Sequence, residues 1–232
     1  MQLEGATALV TGANRGLGRH IAQELRDRGA RVYGGARNPA SVDLDDVIPL
    51  ALDVTDAASV AAAADMAQGV SILVNNAGLA TGADLLGGDL DEIRREFETN
   101  VFGTLAVTRA FAPQLAGHPK SYLVNILSVL SWVSAPHLAG YSASKSAQWS
   151  VTNGLRRQLA PNGTVVAGLH VGYMDTDMAA SVTGDKVDPA EVARLVAEAI
   201  ATDQTEIVVD ELSRTVRAGL AGGVAALYPD VA

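Results

Sequence analysis

ATALVTGANRGLG, residues 6–18, runs from a short apolar strand straight into a loop with glycines at 12, 16 and 18. A glycine-rich turn between a strand and a helix lets bare backbone approach a pyrophosphate. The phosphate is then held by the unpaired N–H groups and the dipole of the helix N-terminus. The spacing is G-x-x-x-G-x-G, and by itself it does not separate a phosphate cradle from a structural turn. Its place near the start of the chain, directly after a buried strand, favours the cradle.

Outward from that loop, short apolar runs alternate with longer helical patterns. ATALV (6–10), ARVYGGA (30–36), VIPLAL (47–52), SILV (71–74), SYLVNIL (121–127), TVVAGLHV (164–171) and TEIVVD (205–210) read as strands. Several lack polar alternation, as strands covered on both faces do. Helices are expected near 17–28, 56–67, 91–116, 141–160 and 190–201. Asp188-Pro189-Ala190-Glu191 opens the last of these with an N-cap, a first-turn proline and a glutamate three residues after the cap. Pro161-Asn162-Gly163 stops the helix before it. Regular β–α alternation predicts a doubly wound parallel α/β sheet of the Rossmann type, about seven strands in one domain over 1–232.

The composition excludes several functions. Seventeen basic against 26 acidic residues leave a net charge of −9, which argues against nucleic acid as a partner. The absence of cysteine removes disulfides, thiolate catalysis and cysteine metal sites. His20, His118, His137 and His170 are scattered, so no metal site is expected. Residues 121–144 carry no formal charge but include Asn125, Pro136, Gly140 and six serines, so they read as a strand and loop and not as a membrane span. The chain runs into its first strand too early for a signal peptide, which predicts a cytoplasmic protein.

The second strand ends GGARN (34–38), where an acidic residue would meet a ribose 2′-hydroxyl and an arginine a 2′-phosphate. Arg37 stands there, no Asp or Glu falls between Arg31 and Val42, and Arg15 in the glycine loop is in reach of the same corner. An arginine–phosphate contact at about 4 Å contributes on the order of 1–4 kcal/mol. The pair therefore predicts NADP(H), with NAD(H) disfavoured roughly tenfold to several hundredfold.

YSASK (141–145) places Tyr141 and Lys145 four residues apart, one turn from each other on one helix face. A free tyrosine titrates near 10. A cation one turn away, with the positive charge of the nicotinamide when oxidised, favours the tyrosinate and brings a lowering of about two or three units within reach, toward the range where the phenol exchanges protons readily.

Taken together, these motifs resemble the short-chain dehydrogenase/reductase family over nearly the whole chain. TGANRGLG (11–18) resembles its cofactor loop, with Gly12, Asn14, Arg15, Gly16, Leu17 and Gly18 as contacts. LDVTD (52–56) resembles the segment that puts Asp53 and Val54 beside the adenine, and NNAG (75–78) supplies Asn76, Ala77 and Gly78. Asn100 in ETNVFG fits the family's relay asparagine. Ser128, thirteen residues before Tyr141, fits its catalytic serine. The resemblance implies catalysis by Ser128, Tyr141, Lys145 and Asn100: Ser128 polarises a carbonyl, Tyr141 transfers the proton, and Lys145 tunes Tyr141 and holds the nicotinamide ribose. Asn100 would order a water that joins Lys145 to solvent. Taken singly, Asn100 and Lys145 read as ordinary helix residues, and Ser128 is selected from its neighbouring serines by spacing alone.

One departure is visible. The family places Pro-Gly after the sixth strand with Thr four residues on; here Val171 replaces the proline, while Gly172 and Thr176 are in place. The turn loses a fixed φ and gains an N–H that needs a partner. These three are expected to meet the nicotinamide. The segment at about 175–188 is the family's substrate lid, short here. Leu130, Trp132, Val133, Leu138, Tyr173, Met174 and Met178 are candidate pocket residues, which points to an uncharged, fairly hydrophobic ketone or secondary alcohol. His137 reads as a loop histidine. The resemblance also implies a homodimer or homotetramer through the helices near 91–116 and 141–160, without a membrane or nucleic-acid partner. The alternatives are a non-catalytic NADP(H)-sensing regulator on the same fold and a halide-binding lyase. The Ser128–Tyr141–Lys145 set argues against the first, and Lys145 with the intact glycines against the second.

Overall fold

The computed structural model describes residues 1–230. Seven strands form one wholly parallel sheet: β1 (Thr7–Thr11), β2 (Arg31–Ala36), β3 (Val47–Ala51), β4 (Ile72–Asn75), β5 (Ser121–Ile126), β6 (Thr164–His170) and β7 (Glu206–Val208). Their order is β3-β2-β1-β4-β5-β6-β7, so the winding reverses between β1 and β4. Ligands of open α/β sheets bind outside the carboxyl ends of the strands at that reversal. Pro49 lies in the edge strand β3, where a missing N–H costs no ladder bond.

Helices α1 (Gly16–Asp27), α2 (Ala57–Met66), α3 (Leu90–Phe97), α4 (Thr104–Ala116), α5 (Ala139–Leu159) and α6 (Pro189–Thr202) cover the sheet. Leu17, Ile21 and Leu25 of α1 and Val192, Val196 and Ile200 of α6 bury against one face. Val60 of α2, Val107, Phe111 and Leu115 of α4, and Leu155 and Leu159 of α5 bury against the other. Asp188 caps α6 as its sequence predicts, its side chain accepting the Ala190 N–H at 2.9 Å. Gly163, at φ +77°, makes the turn from α5 into β6.

Two features depart from the sequence expectation. The single helix expected over 91–116 is α3 and α4 joined by a π-helical turn, Glu98–Gly103, with Asn100 inside it. Such turns recur at functional sites, because an extra residue re-aims the backbone. Gly103 fits this bend tightly: a Cβ there would stand 2.8 Å from Val54 Cγ2. Beyond β7, the tail forms two further helices, α7 (Glu211–Gly219) and α8 (Gly223–Leu227). Among the described residues, no helix is long and apolar enough to cross a membrane.

Candidate active site

The glycine loop closes the carboxyl end of β1. Gly12 (φ +67°) and Gly16 (φ +52°) take conformations that favour glycine. Gly18 is held by space: a Cβ there would stand 2.3 Å from both Gly12 O and Asn76 Nδ2. Asn76 fastens this loop to β4, its amide donating to Thr11 O at 2.9 Å and Gly12 O at 3.2 Å. Thr11 Oγ1 accepts the Asn76 and Ala77 N–H groups, each at 2.9 Å. Arg15 at the N-cap of α1 gives no side-chain cap, and the first turn has no acid. The first N–H groups of α1 are thus left for an anion, and a dinucleotide phosphate fits this cradle.

Leu17 and Gly18 are buried, Asn14 half-buried, and Gly78 exposed. Asp53 accepts the Thr55 N–H at 3.0 Å and the Thr55 hydroxyl at 2.7 Å. These bonds, with Arg37 nearby, hold its carboxyl below the usual range. Val54 packs under the π turn. Arg37 is exposed at the end of β2. Arg15 is engaged elsewhere. Its guanidinium lies 3.5 Å from Asp177 of the lid, an exposed pair joining loop and lid. Thr176 also faces the loop, its Cγ2 lying 3.5 Å from where a Gly16 Cβ would stand.

Ser128, Tyr141 and Lys145 come together at the carboxyl end of β5. Ser128 is buried as N-cap of a short 3₁₀ turn, its Oγ accepting the Leu130 N–H at 3.1 Å. Behind it, His170 Nδ1 lies 3.2 Å from Ser128 O and 3.2 Å from Ser131 Oγ. Tyr141 is half-buried in the first turn of α5, and Lys145 Nζ lies 5.6 Å from the centroid of its ring. Lys145 itself is buried and donates to Ile126 O and to Gln148 Oε1, both at 2.8 Å.

The electrostatics run opposite to the expectation for Tyr141. Its phenol lies well above its ordinary value: burial raises it, the adjacent Ser128 side chain lowers it in part, and the carboxylate of Glu96 raises it again. Burial also pulls the Lys145 ammonium down to about 7. A lysine that is half neutral near pH 7 is a weak counter-charge, so desolvation outweighs the Tyr141–Lys145 attraction in the protein alone.

The Asn100 side chain is tied into the loop after β4. Its Oδ1 accepts the Leu79 N–H at 2.8 Å, and its Nδ2 donates to Leu79 O and Ser144 Oγ, both at 2.9 Å. Its side chain therefore pins the 78–81 loop to α5 and does not reach Lys145. The pocket residues also divide. Trp132 is buried, stacked on His170 at 3.7 Å between ring centroids and edge-on to Trp149, and so belongs to a packed cluster. Met174 packs on the core, where its backbone bridges to Val187 and closes the base of the lid. Leu130, Val133 and Leu138 are half-buried, while Tyr173 and Met178 are exposed on the lid. His137 is exposed in its loop.

Val171 is buried, and its carbonyl accepts the Val129 N–H at 2.9 Å. The next residue, Gly172, donates its N–H to Asp210 Oδ2 at 2.6 Å. Asp210 also caps α7 through the Ser213 N–H at 2.7 Å. On the opposite rim, Tyr228 Oη accepts the Ser134 N–H at 2.7 Å. The tail is thus tied to the turn after β6 and to the loop that follows Ser128, ties that its small-residue sequence gave no reason to expect. Glu96, fully buried with Oε1 accepting from both Thr81 N and Oγ1, was equally unmarked.

A family model described as short chain dehydrogenase matches residues 6–187. A crystal structure of a short chain dehydrogenase from Burkholderia cenocepacia J2315 in complex with NADP is 37% identical, with a TM-score of 0.94 over 99% of this chain and 98% of that one. The 3-oxoacyl-(acyl-carrier-protein) reductase of Vibrio cholerae serotype O1 is 30% identical over 220 residues, 85% of this chain and 90% of that protein. A 3-ketoacyl-(acyl-carrier-protein) reductase from Brucella melitensis complexed with NADH is 27% identical, with a TM-score of 0.84 over 90% of this chain and 98% of that one.

Proposed function

The chain belongs to the short-chain dehydrogenase/reductase family of nicotinamide-dinucleotide oxidoreductases, and from that premise we propose that it reduces an uncharged, fairly hydrophobic ketone with NADPH, or oxidises the matching secondary alcohol with NADP. The observation that carries this reading is the meeting of Ser128, Tyr141 and buried Lys145 at the carboxyl end of β5, with Lys145 Nζ 5.6 Å from the centroid of the Tyr141 ring. A nicotinamide held by the glycine loop and by the residues around Lys145 would supply or accept the hydride.

The residues divide the remaining work. The Ser128 hydroxyl donates to the substrate oxygen and holds it at Tyr141. Tyr141 gives its proton to that oxygen during reduction and takes it back during oxidation. A phenol held high is protonated at neutral pH, the form that donates during reduction. Lys145, buried to about 7, moves between charged and neutral near physiological pH and can resupply Tyr141. Asn100 fixes the floor beneath Gly78 through Leu79.

Exposed Arg37 at the end of β2, with no Asp or Glu following it in sequence before Asp43, supports NADP(H), and the NADP complex of the Burkholderia cenocepacia relative agrees with it. The Brucella melitensis relative is complexed with NADH, so the two neighbours differ in cofactor. Half-buried Leu130, Val133 and Leu138 beside exposed Tyr173 and Met178 support an apolar substrate that enters under the lid. We expect a homo-oligomer, with exposed Phe102 among the residues it would cover. The test of the substrate class is NADPH consumption with aryl and cyclic ketones beside keto acids of similar size. Faster turnover of the charged set would overturn the apolar pocket.

A further inference from the structure

Lys145 is held from behind by a residue three positions along its own helix. Gln148 is fully buried, and its Nε2 donates to Thr104 Oγ1 at 2.9 Å. Thr104 in turn donates to the Asn100 main-chain carbonyl at 2.9 Å. A hydroxyl has one hydrogen, and that of Thr104 is committed to Asn100, so toward Gln148 it can only accept. Gln148 must therefore turn its NH2 to Thr104 and its oxygen to Lys145, a group that only donates. The chain Asn100–Thr104–Gln148–Lys145 is a polarised line of hydrogen bonds from the π turn to the ammonium. With Ile126 O and Gln148 Oε1 each taking one N–H at 2.8 Å, the third is directed to the side where Tyr141 and Gly78 lie.

We propose that Gln148 is a positioning residue for Lys145, its amide oxygen fixing the direction of the amine and stabilising its charged form, with Thr104 setting the orientation of the amide. The inference deepens the oxidoreductase reading and rests on it for its catalytic meaning. The other ionisable groups around Lys145 are Tyr141 on its own helix, Glu96 of α3, which bears on Tyr141, and His170 of β6, which feels the lysine charge. The contacts from α4 and the π turn are the neutral Thr104 and Asn100, and that from β5 is the Ile126 carbonyl. Removing a hydrogen bond to the charged form lowers an amine's midpoint. A lost bond to a charged group corresponds to about one unit or more.

The experiment follows the lysine side-chain ¹³Cε resonances through a pH titration of the cofactor-free protein, which has only Lys120, Lys145 and Lys186. Gln148→Met keeps the shape and removes the acceptor, and the Lys145 midpoint should fall by about one unit or more. Gln148→Glu keeps an oxygen and adds charge, so there the midpoint should rise. Thr104→Val should lower it too, and adding Thr104→Val to Gln148→Met should lower it no further. In parallel, the alkaline-rising limb of alcohol oxidation should move to higher pH in Gln148→Met. A residue that only packs would change stability or rate at every pH without moving either midpoint. An unmoved midpoint in folded Gln148→Met overturns the proposal. If that variant does not fold, a midpoint that fails to rise in Gln148→Glu overturns it instead. Wild-type turnover with unmoved midpoints would sink this inference alone, whereas shifted midpoints without any turnover would sink the oxidoreductase reading alone.

Discussion

The Gly172 N–H donates to Asp210 Oδ2 at 2.6 Å, and by that bond α7 holds the turn that follows β6. Where a proline would fix the turn covalently, this chain has Val171 and a carboxylate clamp from the tail. The same carboxylate caps α7. Asp210→Ala should therefore cost roughly 2–4 kcal/mol, combining a lost N-cap with a lost charge-assisted bond. Thermal unfolding should show a drop of roughly 5–15 °C. Asp210→Asn, which keeps the cap, should lose less. Cofactor KM should rise in Asp210→Ala, because the loosened turn carries Gly172 and leads to Thr176.

What the sequence made legible follows from which forces are local. The strands are short runs of Val, Ile and Leu between turn residues, so their positions were readable, and the glycine loop follows from backbone conformations that few other residues adopt. Tyr141 and Lys145 were readable because four residues place them on one helix face, and Ser128 because its spacing from Tyr141 resembles the family's. Trp132 and Met174 were misplaced because an apolar residue near a site looks the same whether it packs or lines. In the protein without cofactor the Tyr141 shift runs upward, and a sequence displays the neighbouring lysine but not the burial that opposes it. Asp210 and Tyr228 act across long sequence separations and left no pattern. Gln148 did leave one, since it stands three residues after Lys145 on the same helix face, but a lone glutamine carries no signal until its partner is buried.

Gly18→Ala tests the cradle. Its Cβ would meet Gly12 O and Asn76 Nδ2 at 2.3 Å, so the loop or β4 must move. A destabilisation of about 1–3 kcal/mol is expected in chemical denaturation. Dinucleotide binding followed by calorimetry should weaken by at least about tenfold, because the moved groups line the phosphate site.

Arg37→Asp tests the cofactor choice. Replacing the cation with a carboxylate should favour a ribose 2′-hydroxyl and repel a 2′-phosphate. The ratio of kcat/KM for NADPH over NADH should fall by roughly tenfold or more. A wild type that already prefers NADH would remove the basis of the prediction.

His170 should make stability pH-dependent in a defined window. Burial holds its imidazole down to about 4, with the bond to Ser128 O opposing and Arg156, Arg217 and Lys145 adding to the depression. The unfolded chain takes up its proton below about 6.5 while the folded protein resists until about 4, so stability is lost as pH falls between those values. Fully buried His170 can contribute on the order of 3 kcal/mol to that loss. His170→Phe keeps a ring against Trp132 and removes the titration. Denaturant midpoints between pH 7 and 4 should fall for wild type and stay flatter for the variant.

The proton-transfer role of Tyr141 is the centre of this account, and NADPH oxidation by wild type and Tyr141→Phe across a panel of uncharged ketones, with NADPH binding measured on both, tests it most directly. Wild type should turn over at least one ketone, and Tyr141→Phe should lose about 100-fold or more in kcat while binding NADPH within a few-fold of wild type. A protein that binds NADPH but reduces no ketone, as a dinucleotide sensor would, or a Tyr141→Phe variant as active as wild type, would contradict it.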